Sequence, residues 1–316
     1  ARSGAMDSLA GDVVLFAVPA EEFVELEYRD RLRRDGQLTY LGGKPELIAG
    51  GHFDDIDMAM MIHSDVSGEG GRIVKTGGSS NGFIGKLARF TGREAHAAGA
   101  PDQGINALNA AMLAITAVNA QRETFRDQDC VRFHPIITKG GDLVNVVPAD
   151  VKMESYVRAR TVEAMLDANK KVDRALKAGA DAIGAGVAIT DLPGYLPLFN
   201  EPTMDALFAA NAAALLGPDA VATAGHTAGS TDMGDLAHIM PVIQPYIGGV
   251  AGLAHTRDFA VVDPEMAYIV PALVMAMTVI DLLAGDAAAA ENILADYKPK
   301  MTKDSYLSFM KSIQSK

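Results

Sequence analysis

Gly11-Asp-Val-Val-Leu-Phe-Ala-Val-Pro-Ala-Glu-Glu22 joins an apolar run to two adjacent carboxylates. The run is short, rich in β-branched residues and bounded by Gly11 and Pro19, which predicts a buried strand over Gly11–Val18. The C-terminal end of such a strand is where open α/β sheets place ligands. Glu21 and Glu22 can divide labour there, one holding a metal while the other moves a proton. Two solvated loop acids fit the same residues, so the decision rests with the rest of the chain.

Working outward, Glu22 to Arg34 is charged and helical in character, with Gly36 as its stop. Ile56 to Ile62 reads as a second buried strand ending at His63. Ser67 to Gly82 is Gly/Ser-rich and reads as a linker or domain boundary. The middle third has its own rhythm: strand (Phe83–Thr91), helix (Gln103–Thr124), strands (Val131–Thr138, Val151–Ala159), helix (Thr161–Ala178, Thr161 as N-cap) and strand (Val187–Leu192). That order is the split βαβ sandwich. After Asn200 the α/β pattern resumes. It holds a helix over Met204–Leu216 and an edge or irregular strand over Met240–Ile247, which carries Pro241 and Pro245. Helices follow over Ala267–Leu283, Ala287–Tyr297 and Lys303–Ile313. The fold expected is α/β: a discontinuous domain over 1–81 and 199–316, with a βαββαβ domain inserted over 82–198.

The chain has 316 residues, half of them apolar, 28 basic and 40 acidic, for a net charge of −12. This balance argues against a nucleic-acid binder and fits a small-molecule or peptide substrate. Cys130 is the sole cysteine, so there is no intrachain disulfide framework, as suits a reducing, cytoplasmic setting. No apolar stretch reads as reaching the ~20 residues a membrane span needs. Met275, Met277 and Ile280 read as core residues of a buried or interface helix. Serine-hydrolase, P-loop and dinucleotide motifs are absent.

Histidines supply the remaining signals. His63 ends a predicted strand and His255 sits in the loop Gly252–Thr256. With Glu22 they form a donor set suited to zinc or a similar ion, although lone histidines are commonly structural. His96 and Asn145 lie in the inserted domain, where a surface histidine and a turn asparagine are equally consistent. Arg158 alternates with apolar neighbours and serves either as a solvated residue or as a fork for a substrate carboxylate. Gly229-Ser-Thr-Asp-Met-Gly234 either caps a helix through Ser230 or Asp232, or lines a cleft with Ser230 and Thr231.

Taken together, these segments resemble the dinuclear metallohydrolases that include aminoacylase, carboxypeptidase G, peptidase T and the auxin-conjugate amidohydrolases, nearest the aminobenzoyl-glutamate hydrolase type. The resemblance rests on Pro19-Ala-Glu-Glu22, His63, Gly92–Pro101 with Gly104-Ile-Asn-Ala-Leu108, Gly140-Gly through Asn145-Val-Val-Pro148, Val157-Arg158, Gly229-Ser-Thr-Asp232 and Ala254-His255, in order along nearly the whole chain. It implies a zinc-exopeptidase-like catalytic domain, here truncated at its N-terminus, and a ferredoxin-like lid that forms a homodimer. By resemblance Glu21 is the general base, Glu22, His63 and His255 are metal ligands, and His96 acts at a partner subunit's site. Asn145 and Arg158 hold the substrate's carboxylate or carbonyl oxygen, with Ser230 and Thr231 beside the substrate. Two divalent ions (zinc, or manganese or cobalt) and hydrolysis of an N-acyl amino acid, an aminobenzoyl-glutamate-like conjugate or a small peptide with a free carboxylate are implied.

Two departures qualify this. The family's first ligand segment, a His-x-Asp or Cys-Gly-His stretch, precedes the Glu pair, whereas here Ala1–Ala10 reads only as the tail of a helix. The Gly-rich loop that many relatives carry after the pair is replaced by Phe23-Val-Glu-Leu-Glu-Tyr-Arg29. A catalytically silent chain that retains dimerisation and ligand binding is therefore the alternative expectation.

Overall fold

The computed structural model describes residues 4–65 and 70–314. The middle third forms one four-stranded antiparallel sheet. Its elements, in chain order, are β1 (Gly82–Thr91), α1 (Ala107–Ala120), β2 (Arg132–Lys139), β3 (Asp150–Ala159), α2 (Val162–Asp181) and β4 (Gly186–Pro193). The spatial order β2-β3-β1-β4 is that of the predicted split βαβ unit. Side chains in β3 alternate between buried and half-buried along its whole length, because one face packs on the two helices. Asn106 caps α1 by accepting from the Asn109 amide, and Thr161 caps α2 by accepting from Ala164, as its sequence predicts. The helices cross closely on alanines: a side chain at Gly179 would collide with the backbone of Ala114.

Outside this lid the strands are two or three residues long, and they interleave both ends of the chain. Ala59–Met60 pairs in parallel with Val242–Ile243, His63–Ser64 with Tyr246–Ile247, and Val74–Thr76 with Val221–Thr223. Ser79–Ser80 lies between His226–Thr227 and Leu198–Phe199. Residues 59–80 therefore share sheets with residues 198–247, which makes the lid an insertion. Two hydrophobic cores hold this part together. One gathers Ile48, Leu236, Val242 and Tyr306; the other gathers Val74, Phe208, Ile247 and Val274.

Several expectations change. Gly11–Val18 is not a buried strand: among the described residues nothing pairs with it, and Val13, Val14, Leu15 and Phe16 are exposed, Leu15 at 92%. A strand requires a neighbour to take its backbone hydrogen bonds, and apolar composition alone does not supply one. Ala5–Ser8 forms one 3-10 turn, not a helix tail. The predicted linker holds two strands, Val74–Thr76 and Ser79–Ser80; its residues 67–69 lie outside the described residues. Tyr246–Ile247 is an interior strand with partners on both sides, since Pro241 and Pro245 flank the strands and present only carbonyls to the neighbouring chain. Within Ile56–Ile62 only Ala59–Met60 is strand, and His63–Ser64 forms a second short strand just beyond it, all four residues half-buried. Glu265–Asp296 is long and apolar enough to span a membrane by length and composition, with a third of its most apolar stretch buried. Its backbone leaves helical geometry from Ala284 to Ala287, and Ile280 is exposed, not core.

His238, in the core beside Phe199, donates from Nδ1 to the Gly234 carbonyl at 2.8 Å. A neutral ring donates there, and burial pushes its pKa down to about 4. Between the unfolded value of 6.5 and about 4 the unfolded chain binds a proton that the native state excludes. Its contribution is therefore complete above pH 6.5 and is lost as pH falls through that window. In denaturant titrations between pH 7 and 4, His238→Gln is expected to remove up to about 3 kcal/mol of this pH dependence.

Candidate active site

Glu21 is half-buried, and the backbone N–H of Asp232 donates to its carboxylate. Burial, then the charges of Asp232 and Glu22, raises its pKa to about 7, against the pull of Lys44. Glu22 is the more open of the two, with its carboxylate oxygen 4.0 Å from His255 Nδ1. His255 reaches that position from a loop in which its own φ is +60°. The loop carrying the acids is itself strained: Ala20 and Glu25 bracket it at φ of +58° and +55°.

Beneath the acids lies a buried ionic layer. Lys44 forms an ion pair with Asp232, whose side chain is fully buried, and the Lys44 amide donates to the other carboxylate oxygen at 3.2 Å. Asp235, one helical turn on, accepts from Tyr306 Oη at 2.9 Å, and burial holds its carboxyl well above the usual carboxylate range. Gly42 and Gly43 permit the approach of Lys44. A side chain at Gly42 would strike the Tyr195 ring, and one at Gly43 the Pro19 carbonyl.

Arg158 reaches across from the lid. Its Nη1 donates to Ser230 Oγ at 2.7 Å and its Nε to His134 Nε2 at 3.1 Å, with the guanidinium over the rings of Phe83 and Tyr156. Burial, then the charge of Arg158, lowers the His134 pKa. A planar fork held this way suits a carboxylate. Thr231 is buried with its hydroxyl donated to Gln244 Oε1, so it braces the loop from behind. Neither Ser230 nor Asp232 caps the helix Met233–Ala237 with its side chain.

The remaining predicted residues lie elsewhere. His96 and Asn145 are neighbours, joined by the Ala97 amide donating to the Asn145 carbonyl and by a bridge from His96 to Val146. They sit past Thr91, whereas Arg158 is paired with Phe83 at the other end of β1. Eight residues of strand separate those ends by roughly 26 Å. Within one protomer the structure thus groups Glu21, Glu22, His255 and Ser230–Asp232 with Arg158, and leaves His96 and Asn145 at the far tip. His63 packs edge-on to Tyr246 with its Nδ1 2.8 Å from the Ser64 carbonyl.

The donor set implied for two metal ions does not fit. Glu22 and His255 offer two donors, and among the described residues no group of three His, Cys, Asp or Glu side chains is placed to hold a cation. Sequence reasoning missed Lys44, Asp235, His134, Tyr156 and Tyr195. Only Lys44 carried a signal, in the Gly42-Gly43 pair that precedes it.

Residues 78–183 match the M20 peptidase dimerisation domain. Along its length the chain is 27% identical to the Xaa-Arg dipeptidase of Mus musculus, over 96% of this chain and 67% of that one. It is 26% identical to the Homo sapiens counterpart, over 94% and 64%. It spans about two thirds of the length of these curated relatives. Among solved structures, a putative aminohydrolase from methicillin resistant Staphylococcus aureus superposes with a TM-score of 0.63 at 20% identity, over 91% of this chain and 68% of that one. An aminobenzoyl-glutamate utilization protein from Klebsiella pneumoniae gives 0.53 at 18%, over 81% and 59%. The chain is therefore similar along most of its length to peptidases and amidohydrolases, with the match to the peptidase dimerisation domain falling on residues 78–183.

Breaking the buried pair by Lys44→Met is expected to cost roughly 3–5 kcal/mol in a urea titration, because Asp232 is left charged and alone. Adding Asp232→Leu should recover much of that loss.

Proposed function

We propose that the protein hydrolyses the amide bond of a small dipeptide or N-acyl amino acid that carries a free carboxylate. The observation that carries this reading is Glu21: a half-buried carboxylate with a pKa of about 7, oriented by a backbone N–H and adjacent to Glu22. A base poised near neutral pH is what proton transfer in amide hydrolysis requires. Glu21 takes a proton from water as the water oxygen bonds to the carbonyl carbon. It then delivers that proton to the amine nitrogen as the C–N bond breaks. Arg158 takes the substrate carboxylate and gives up its Ser230 contact to do so. The dipeptidase relatives favour a dipeptide over the other substrates the sequence suggested.

His96 and Asn145 act, on this reading, at the site of a second copy, because the strand length between them and Arg158 keeps them from their own. The match of the lid to a dimerisation domain supports a homodimer formed through it. Toward a metal ion the described residues gather only Glu22 and His255. That same observation favours a second reading, in which this chain dimerises and binds ligand without turnover.

Glu21→Gln is expected to lower hydrolysis of an Xaa-Arg dipeptide on the order of 10²–10⁴-fold while leaving the fold intact. Turnover unaffected by that substitution would exclude the base assignment. A chain that dimerises by light scattering, hydrolyses nothing and takes up no zinc or manganese by calorimetry would establish the silent reading. In an active preparation, mixing His96→Ala protomers with Glu21→Gln protomers should restore part of the activity that each lacks. No recovery in the mixed dimers would place His96 outside the neighbouring site.

A further inference from the structure

The loop bearing the acid pair is gripped by the lid. Tyr195, which follows β4, donates its hydroxyl to the Glu21 carbonyl, and Tyr156, in β3, donates its own to the Phe23 carbonyl. The two phenols thus bracket Glu22 on the backbone. The Phe23 ring between them packs edge-on against Phe83, Tyr156 and Tyr195 at 5.0, 6.2 and 5.6 Å. Phe23, Phe83 and Tyr195 are nearly inaccessible, so the contact is dry. The fit is close on all sides: a side chain at Gly42 would strike the Tyr195 ring, and one at Gly194 would strike Phe83.

The grip falls on a segment that local energetics alone would not hold. Ala20 and Glu25 adopt left-handed φ, a strain that surrounding contacts must offset. Inside the segment the backbone bonds are few: Val24 N–H to the Glu22 carbonyl, and Gly43 N–H to the Ala20 carbonyl. The tyrosines supply what the loop lacks.

We propose that Tyr156 and Tyr195 are positioning residues that fix the Glu21–Glu22 backbone from the lid, so that the orientation of the lid sets the geometry of the acid pair. This rests on Glu21 and Glu22 being the reacting acids, as read above. The hydroxyls do not touch substrate; they act through two main-chain carbonyls. Any rotation of the lid about its two crossings, near Asn81 and Pro197, pulls on residues 21 and 23 together. Lid movement and base alignment are one motion in this arrangement.

The test is the full chain with Tyr195→Phe, Tyr156→Phe and the pair. Tyr297→Phe serves as a control that removes a phenol donated to main-chain carbonyls elsewhere, those of Ala237 and Met240. Amide hydrogen exchange read by mass spectrometry over residues 20–26 is expected to quicken about tenfold in each single variant and more in the pair, with residues 107–120 unchanged. The control should leave residues 20–26 as they are. In an active preparation kcat should fall about tenfold with KM nearly constant, since the carboxylate fork of Arg158 is untouched. Unchanged exchange over 20–26 in the double variant overturns the proposal, as does an increase of equal size across the whole chain. Faster local exchange together with full activity of Glu21→Gln would retain the grip and overturn only the assignment of the base.

Discussion

The ion pair between Lys44 and Asp232 is the contact on which the site is built. Asp232 is fully buried, and burying a carboxylate is costly unless a cation and hydrogen bonds accompany it. Lys44 supplies both, through its ammonium group and its own amide. To bring that lysine in, the chain passes through Gly42-Gly43 against the Tyr195 ring and the Pro19 carbonyl. The same contact therefore fixes the floor of the acid loop. Asp232 in turn orients Glu21 by its backbone N–H, and its charge adds to the effect of burial in raising the pKa of Glu21. The buried pair thus helps to place the base.

Above that floor the aromatic cluster of Phe23, Phe83, Tyr156 and Tyr195 joins the two parts of the molecule. It is a small core made from both sides of the domain boundary. Arg158 extends the same contact outward by stacking on Phe83 and Tyr156 while it bonds Ser230. The substrate-facing fork and the acid loop consequently share one aromatic support.

The lid was legible because its order depends on local signals. The cap at Thr161, the alternation of Val151, Met153, Ser155, Val157 and Ala159 into the core, and apolar spacing along α1 all act within a few residues. The α/β part was less legible, because its strands are two or three residues long and most owe their existence to partners more than a hundred residues away. Gly11–Val18 shows the limit most clearly: its composition is that of a strand, yet strand structure is a property of pairs. At the site, Glu21, Glu22, His255, Ser230 and Arg158 were readable as types of residue suited to chemistry. Tyr156 and Tyr195 were not, since a phenol on a carbonyl leaves no spacing to recognise, and Lys44 was marked only by the Gly42-Gly43 pair before it.

That unpaired run also governs how the protein behaves in bulk solution. Val13 to Phe16 presents apolar side chains with free backbone donors and acceptors, which is the template that edge-to-edge association uses. Three features restrain it: Asp12 adds charge at one end, Pro19 interrupts the ladder beyond the other, and the Phe16 ring is stacked 4.5 Å from Phe53. High concentration and high salt, where the repulsion from a net charge of −12 is screened, are the conditions that favour association through this segment.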